Sequence, residues 1–171
     1  MKLNEKMEAA LNEQINREFY SSFLYLSMSA YFERNNLKGF ANWMNIQYKE
    51  ETAHAMGLYG YIISRGGKVI LKEIKKPEAE WENALEIFKA AKKHEEFITD
   101  SINSLMDLAN ELKEYATVNF LKWYVNEQVE EEENVTEIVD KLEMFGEVKQ
   151  ALYMLDNELA ARVFTEPVIT A

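Results

Sequence analysis

The chain has 171 residues, of which 47% are hydrophobic and 29% charged, and its net charge at pH 7 is −11. This length suits one domain with a single core, and the acidic balance disfavours nucleic acid and anionic membranes as partners because both repel negative charge. The lack of cysteine excludes disulfides, thiolate-bound metal clusters and cysteine nucleophiles, so a bound metal must use oxygen or imidazole ligands.

The N-terminus carries no apolar signal segment, and no run of about 18 apolar residues occurs along the chain. We therefore expect a cytoplasmic protein that does not enter a membrane.

Only six glycines and two prolines interrupt the chain, which favours an all-α fold. Apolar residues recur with the spacing that keeps one face of a helix directed inward. The first predicted helix covers residues 5–34 and is broken by the segment 35–39. The second covers 38–65 and ends at Gly66 and Gly67, a common helix C-terminus.

Residues 66–80 form the only long connection, and a segment of this length can cross a bundle from end to end. The third helix, 82–111, should therefore run parallel to the second. The fourth, 114–145, follows a very short link and ends before Gly146, so it should be antiparallel to the third. A fifth, shorter helix at 148–163 has an apolar face formed by Val148, Leu152, Leu155, Leu159 and Val163. The predicted domain is 1–164, followed by a tail at 165–171.

Residues 19–32 of the first helix are apolar around most of its circumference. A large aromatic core is one explanation. Because exposed apolar patches mark interfaces, we instead expect this helix also to pack against another subunit in a homo-oligomer.

Each long helix interrupts its apolar stripe with a carboxylate. Glu18, Glu51 and Glu95 occupy such positions in the first three helices, and Glu127 and Glu131 do so in the fourth. A single buried glutamate could be satisfied by hydrogen bonds. Several unpaired carboxylates in one core cost several kcal/mol each, so they persist together only if protonated or neutralised by cations. We expect metal ions, and glutamates with one imidazole suit iron or manganese.

Glu51 and His54 lie one helical turn apart, so both can reach one metal while the second oxygen of Glu51 bridges to another. The zinc motif His-Glu-x-x-His is excluded because position 50 is glutamate. The other histidine, His94, is turned about 100° from Glu95 on the helix, which predicts a surface or supporting position.

The acidic run 130–133 is typical of a solvated surface, and we retain that interpretation for Glu132 and Glu133. Four consecutive residues nevertheless cover a full helical turn, so one must face inward. Glu50, Glu127, Glu130 and Glu131 could form a third cation site beside the pair. Gln128 is a candidate neutral ligand or hydrogen-bond partner, and Tyr25 a core aromatic or redox-active phenol.

Four segments together resemble the non-haem ferritins of bacteria and archaea, and the likeness extends over residues 5–164. They are LNEQINREFYSS at 11–22, GFANWM at 39–44, EETAHA at 50–55 and FLKWYVNEQVEEE at 120–132. The second Glu-x-x-His of the ferritin-like scheme is replaced here by Gln128 to Glu131, which argues for an asymmetric site and against bacterioferritin. Thr52 stands where bacterioferritins carry a haem-ligating methionine, so no haem is expected.

The resemblance implies a ferritin-like bundle that binds one iron through Glu18, Glu51 and His54 and a second through Glu51, Glu95 and Glu131. It also implies the third site named above and a 24-subunit shell whose fifth helix lines the four-fold axes. The implied reaction is oxidation of Fe²⁺ by O₂ or peroxide, with ferric oxide stored in the cavity.

Two other functions remain open from the sequence. One is a dimetal redox enzyme, such as a rubrerythrin-like peroxidase or a manganese catalase, without mineral storage. The other is a metal-free helical interaction module in which the inner carboxylates are structural.

Overall fold

A computed structural model of the chain describes residues 2–145 and 148–169, and these residues form five α-helices without a strand. The helices are α1 (Glu5–Arg34), α2 (Lys38–Ser64), α3 (Ala84–Glu111), α4 (Tyr115–Phe145) and α5 (Lys149–Leu159). The predicted all-α fold class is confirmed. Gly146, which we expected to end the fourth helix, and residues 170 and 171 of the tail lie outside the described ranges. Within those ranges, none of the helices combines the length and apolarity that a bilayer span requires.

Local signals explain where the long helices begin and end. The Asn4 side chain caps α1 by accepting a hydrogen bond from the Lys6 N–H at 2.9 Å. After α2, Gly66 has a φ of 67°, and the Gly67 N–H donates to the Ile62 carbonyl at 2.9 Å. This left-handed turn satisfies the last carbonyls of the helix, and glycine adopts it without strain.

The connection between α2 and α3 runs along the length of α1. Near its start, the Ile70 N–H donates to the Asn12 side chain at 2.7 Å, and near its end the Ser27 hydroxyl donates to the Glu78 carbonyl at 2.7 Å. Since α1 and α2 form an antiparallel pair, the connection returns the chain to the end where α2 begins. The predicted parallel arrangement of α2 and α3 is confirmed.

Two apolar clusters fill the bundle and leave a polar layer between them. Phe32, Phe40 and Phe88 lie in one cluster, and Tyr61 and Phe120 stack at 4.0 Å between ring centroids in the other. On each long helix, the inward carboxylate lies between a segment that supplies one cluster and a segment that supplies the other. Helical periodicity thus places polar groups from four helices in one layer of the bundle.

The fifth helix is shorter than predicted, because it ends at Leu159 rather than at 163. The Asn42 amide donates to the carbonyls of Leu159 (3.2 Å) and Arg162 (3.0 Å), and these bonds satisfy carbonyls at the helix end. Val148 and Val163 lie outside the helix and are 54% and 80% exposed, so the predicted apolar face was wrong at both ends.

α5 packs tightly against the N-terminus of α2. Its Asp156 carboxylate accepts hydrogen bonds from the Gly39 N–H at 2.8 Å and the Phe40 N–H at 3.0 Å. No side chain of α2 itself caps that end, so Asp156 supplies both the acceptor and the favourable negative charge. A Cβ at position 39 would lie 1.6 Å from the Asp156 carbonyl oxygen, which explains the glycine there.

Candidate metal centre

The polar layer of the bundle contains five ionisable side chains that sequence periodicity placed inward. They are Glu18, Glu51, His54, Glu95 and Glu131, and the most exposed of them, Glu131, is only 3% exposed. α1, α2, α3 and α4 each supply at least one of the five. Carboxylates withdrawn from water to this degree require protons, hydrogen bonds or cations as partners.

The structure brings Glu18, Glu51 and His54 into one group, with one ligand atom from each within 4.8 Å of the others. Three buried atoms of this group have no hydrogen-bond partner: Oε2 of Glu18, Oε2 of Glu51 and Nε2 of His54. Unpartnered lone pairs in a core are costly, and together these atoms offer the oxygen and nitrogen donors that bind a transition metal. The residues therefore fit a metal ion.

A second group shares the same imidazole and consists of His54, Glu127 and Glu131. His54 Nε2 lies 3.8 Å from Glu127 Oε1, which is too long for a hydrogen bond but close enough for strong electrostatic attraction. Glu127 is half-buried, so this side of the centre faces the solvent. The geometry accommodates a cation between helices α2 and α4.

Glu95 belongs to neither three-residue group among the described residues. Its Oε1 accepts a hydrogen bond from the Tyr25 hydroxyl, and its Oε2 accepts one from the Gln128 amide at 3.1 Å. The expected set of Glu51, Glu95 and Glu131 is therefore not drawn into one ligand cluster. Tyr25 and Gln128, both selected from the sequence, contact Glu95.

The residues expected to form a third cation site are separated by other contacts. Glu50 forms an ion pair with Arg162 at 2.8 Å, and Glu130 is exposed, whereas Glu127 and Glu131 belong to the second group. Glu132, expected to be solvated, is half-buried and accepts a hydrogen bond from Thr99. Thr99 lies on α3, and the spacing of residues within α4 cannot predict a contact with another helix.

The pKa values of two carboxyl groups and of the imidazole in the centre are raised, which favours their protonated forms. Burial raises the pKa of Glu51 well above its usual range, and the adjacent Glu95 carboxylate raises it further. Burial and Glu95 likewise raise the pKa of Glu131 to about 8. Burial alone would lower the pKa of His54, but attraction to Glu127 and Glu51 outweighs that effect and raises it well above the usual value. At neutral pH, cations would have to displace these protons.

Three further polar side chains around the centre were not predicted from the sequence. Gln14 donates to Glu18 Oε1 at 2.8 Å, Gln47 donates to Glu131 Oε2 at 2.7 Å, and Arg162 donates to the Gln47 carbonyl oxygen at 2.6 Å. The signal for the glutamines was present, since each lies four residues before an inward glutamate. No pattern in the sequence relates Arg162 to a helix that lies 115 residues earlier.

His94 occupies a supporting position away from both metal-binding groups. It is half-buried between α1 and α3, and its Nε2 lies 2.7 Å from the Ser21 hydroxyl. Burial lowers its pKa to about 4, so the ring is neutral at physiological pH.

A four-helix bundle with a long lengthwise connection, a short fifth helix and a buried layer of carboxylates and imidazole defines the ferritin-like class of metal-binding bundles. The model of the ferritin family, which describes a ferritin-like domain, matches residues 8–145 of this chain. The chain belongs to this family.

Known relatives are similar to this chain over nearly its whole length. The bacterial non-heme ferritin of Staphylococcus epidermidis is 41% identical over 164 residues, covering 96% of this chain and 99% of the relative. That of Bacteroides fragilis is 41% identical over 160 residues, covering 94% and 99%. An engineered closed form of Archaeoglobus fulgidus ferritin has a TM-score of 0.95 at 48% identity over 96% of this chain and all of that one. The open-pore ferritin of the same archaeon has a TM-score of 0.93 at 48% identity, covering 94% and 98%.

Proposed function

We propose that this protein oxidises Fe²⁺ to Fe³⁺ at the buried centre and stores the ferric product inside a shell of identical subunits. The observation that carries the proposal is the convergence of ligand atoms from Glu18, Glu51 and His54, three buried side chains that each also have an atom without a hydrogen-bond partner. In a ferritin-family bundle, such a donor set is suited to Fe²⁺ as substrate.

Two adjacent binding groups provide the chemistry that iron oxidation requires. Two Fe²⁺ ions each give up one electron, and one O₂ takes both electrons and two protons to become H₂O₂. Carboxylates favour the ferric product because their negative charge stabilises the higher oxidation state. His54 belongs to both groups, and Glu51 lies beside it. These two side chains therefore lie where the two proposed iron positions meet.

The surface of the single chain supports assembly. Phe23 and Leu26 on α1, and Tyr153 and Met154 on α5, are large apolar side chains exposed to solvent. Apolar side chains clustered on two helices favour contacts with further copies. The proposed assembly is a 24-subunit shell. Each chain has a net charge of −11, and negative charge on the interior surface would attract ferric ions.

The test is addition of Fe²⁺ to the purified protein in air, with ferric absorbance followed at two iron ions per chain. Oxidation much faster than in buffer, in a particle of shell size by light scattering, is the expected result. Oxidation no faster than in buffer would overturn the ferroxidase proposal. Fast oxidation by a monomer or dimer would overturn storage and favour a dimetal redox enzyme.

A further inference from the structure

The segment after α5 reaches the metal centre through the side chain of Arg162. Arg162 lies against α2, with its guanidinium 4.9 Å from the centre of the Trp43 ring. Its Nη1 donates to Gln47 Oε1 at 2.6 Å, and its Nη2 donates to Glu50 Oε2 at 2.8 Å. Arginine thereby joins the C-terminal segment to two neighbouring positions on the helix that carries Glu51 and His54.

Arg162 decides which way the Gln47 amide points. A guanidinium has only N–H donors, so the amide group must turn its carbonyl oxygen towards Arg162. The NH₂ group of the same amide then faces Glu131 and donates to its Oε2 at 2.7 Å. Gln47 is fully buried, so water does not compete for either contact.

The reverse orientation of the amide would place its carbonyl oxygen against Glu131, and two acceptors would then meet once Glu131 loses its proton to bind a cation. With the orientation fixed, Oε2 of Glu131 is held by Gln47, and Oε1 and the remaining lone pairs are left for a cation. Outer hydrogen bonds of this kind orient metal-binding side chains and affect affinity strongly.

A second glutamine serves Glu18 in a similar way, but its partners are different. Gln14 donates to Glu18, and its carbonyl oxygen accepts hydrogen bonds from Ser101 and, at 3.5 Å, from Arg17. These partners lie on α1 and α3 within the bundle. Of these two glutamates, Glu131 is the one that hydrogen bonds connect, through Gln47, to the segment that follows α5.

We infer that Arg162 is a positioning residue of the metal centre, which fixes the Gln47 amide so that Glu131 is oriented for cation binding. The inference rests on the proposed function, because it concerns how the same centre binds its metal. If Arg162 has this role, the group of His54, Glu127 and Glu131 binds a cation with full affinity only when the C-terminal segment is docked. Cation binding by the group of Glu18, Glu51 and His54 does not depend on Arg162.

The experiment uses the full chain and anaerobic titration with Co²⁺, followed by calorimetry and by the visible ligand-field spectrum. Glu18→Gln and Glu131→Gln assign the binding steps to the two groups. Arg162→Met keeps the aliphatic stem over Trp43 but removes every donor, and Lys141→Ala is the matched control because it breaks the 2.7 Å ion pair between α4 and Glu158 of α5. Arg162→Met should weaken the Glu131 step about tenfold, whereas Lys141→Ala should leave both steps unchanged.

A double-mutant cycle with Gln47→Leu separates positioning from a general effect of charge. If Arg162 acts through Gln47, Arg162→Met should weaken binding no further when Leu occupies position 47. Additive losses, equal losses at both steps, or the same binding in Arg162→Met and the Lys141→Ala control would overturn the positioning role. Absence of two Co²⁺ steps in the unaltered protein would instead overturn the proposed function, and the inference with it.

Discussion

Oε2 of Glu51 lies 3.5 Å from Nδ1 of His54, and neither this oxygen nor the Nε2 of the same imidazole has a hydrogen-bond partner. The two side chains extend from successive turns of α2 into a core where both apolar clusters end. A carboxylate in this position is poorly explained as a structural group, since its burial destabilises the charged form without a compensating bond.

Glu51→Ala should therefore reduce iron oxidation to the rate in buffer while leaving the fold and the assembly intact. Removal of a buried acid that lacks a full set of partners should also leave the metal-free protein as stable as before, or more stable by about 1 kcal/mol. Ferric absorbance, light scattering and urea unfolding measure the three outcomes. Glu96→Ala, an exposed change on α3, is the control. Retained fast oxidation in Glu51→Ala would contradict the bridging role.

Glu127→Ala should affect the second cation more than Glu130→Ala does. Glu127 lies 3.8 Å from His54 and shares a group with Glu131, whereas Glu130 on the same helix is exposed. We expect Glu127→Ala to weaken binding of a second Co²⁺ about 10–100-fold. Glu130→Ala should leave that binding unchanged, because Glu130 is exposed and belongs to neither group. Calorimetry provides the measurement. A larger loss of Co²⁺ affinity in Glu130→Ala would restore the four-glutamate arrangement expected from the sequence.

Cation binding should release protons at pH 7. Burial raises the pKa of Glu131 from 4.5 to about 8, so this carboxyl is mostly protonated at neutral pH and must lose its proton to bind a cation. Calorimetric titration with Zn²⁺ in buffers of different ionisation enthalpy counts the protons released. The number should fall above pH 8 and be smaller in Glu131→Gln. Proton release that is identical at pH 7 and pH 9 would contradict this expectation.

The stability of the metal-free protein should fall as the pH rises. Burial raises the pKa values of Glu51, Glu95 and Glu131 in the folded state, so between the unfolded and folded pKa values the folded chain binds more protons than the unfolded chain. For Glu131, this contribution to stability is fully present below pH 4.5 and is lost as the pH rises through about 8. Urea unfolding with chelator at pH 5 and pH 8.5 measures it, and Glu131→Gln should flatten the dependence.

Two glycines of α2 should respond oppositely to alanine. A Cβ at Gly39 would overlap the Asp156 backbone of α5, so Gly39→Ala should destabilise the protein by about 1–3 kcal/mol or displace α5. A Cβ at Gly60 meets nothing within 4 Å, so Gly60→Ala should stabilise the helix by about 0.5–1 kcal/mol. Thermal unfolding compares the two. Equal effects would mean that α5 does not dock as described.

The layer of inward carboxylates could be predicted because helix geometry fixes side-chain direction locally. Glu18, Glu51, Glu95 and Glu131 each lie a whole number of turns from apolar core residues, and the structure buries all four. Two glutamines hold two of these carboxylates: Gln14 lies one turn before Glu18 on the same helix, whereas Gln47 lies one turn before Glu51 and holds Glu131 on α4. The spacing of Gln47 places it on the inward face of α2, but only packing against α4 makes it a donor to Glu131.

By itself, the sequence determined the four long helices, the inward face of each and the donor types available to a metal, because these depend on residues three to seven positions apart. Only the tertiary structure decided which donors meet. Glu95 is taken up by Tyr25 and Gln128, and Glu50 is paired with Arg162, through contacts that join distant segments. α5 ends at Leu159, and Asn42 of α2 donates to the carbonyls of Leu159 and of Arg162 beyond it. Such contacts depend on how helices pack, and no local periodicity encodes the partner across the bundle.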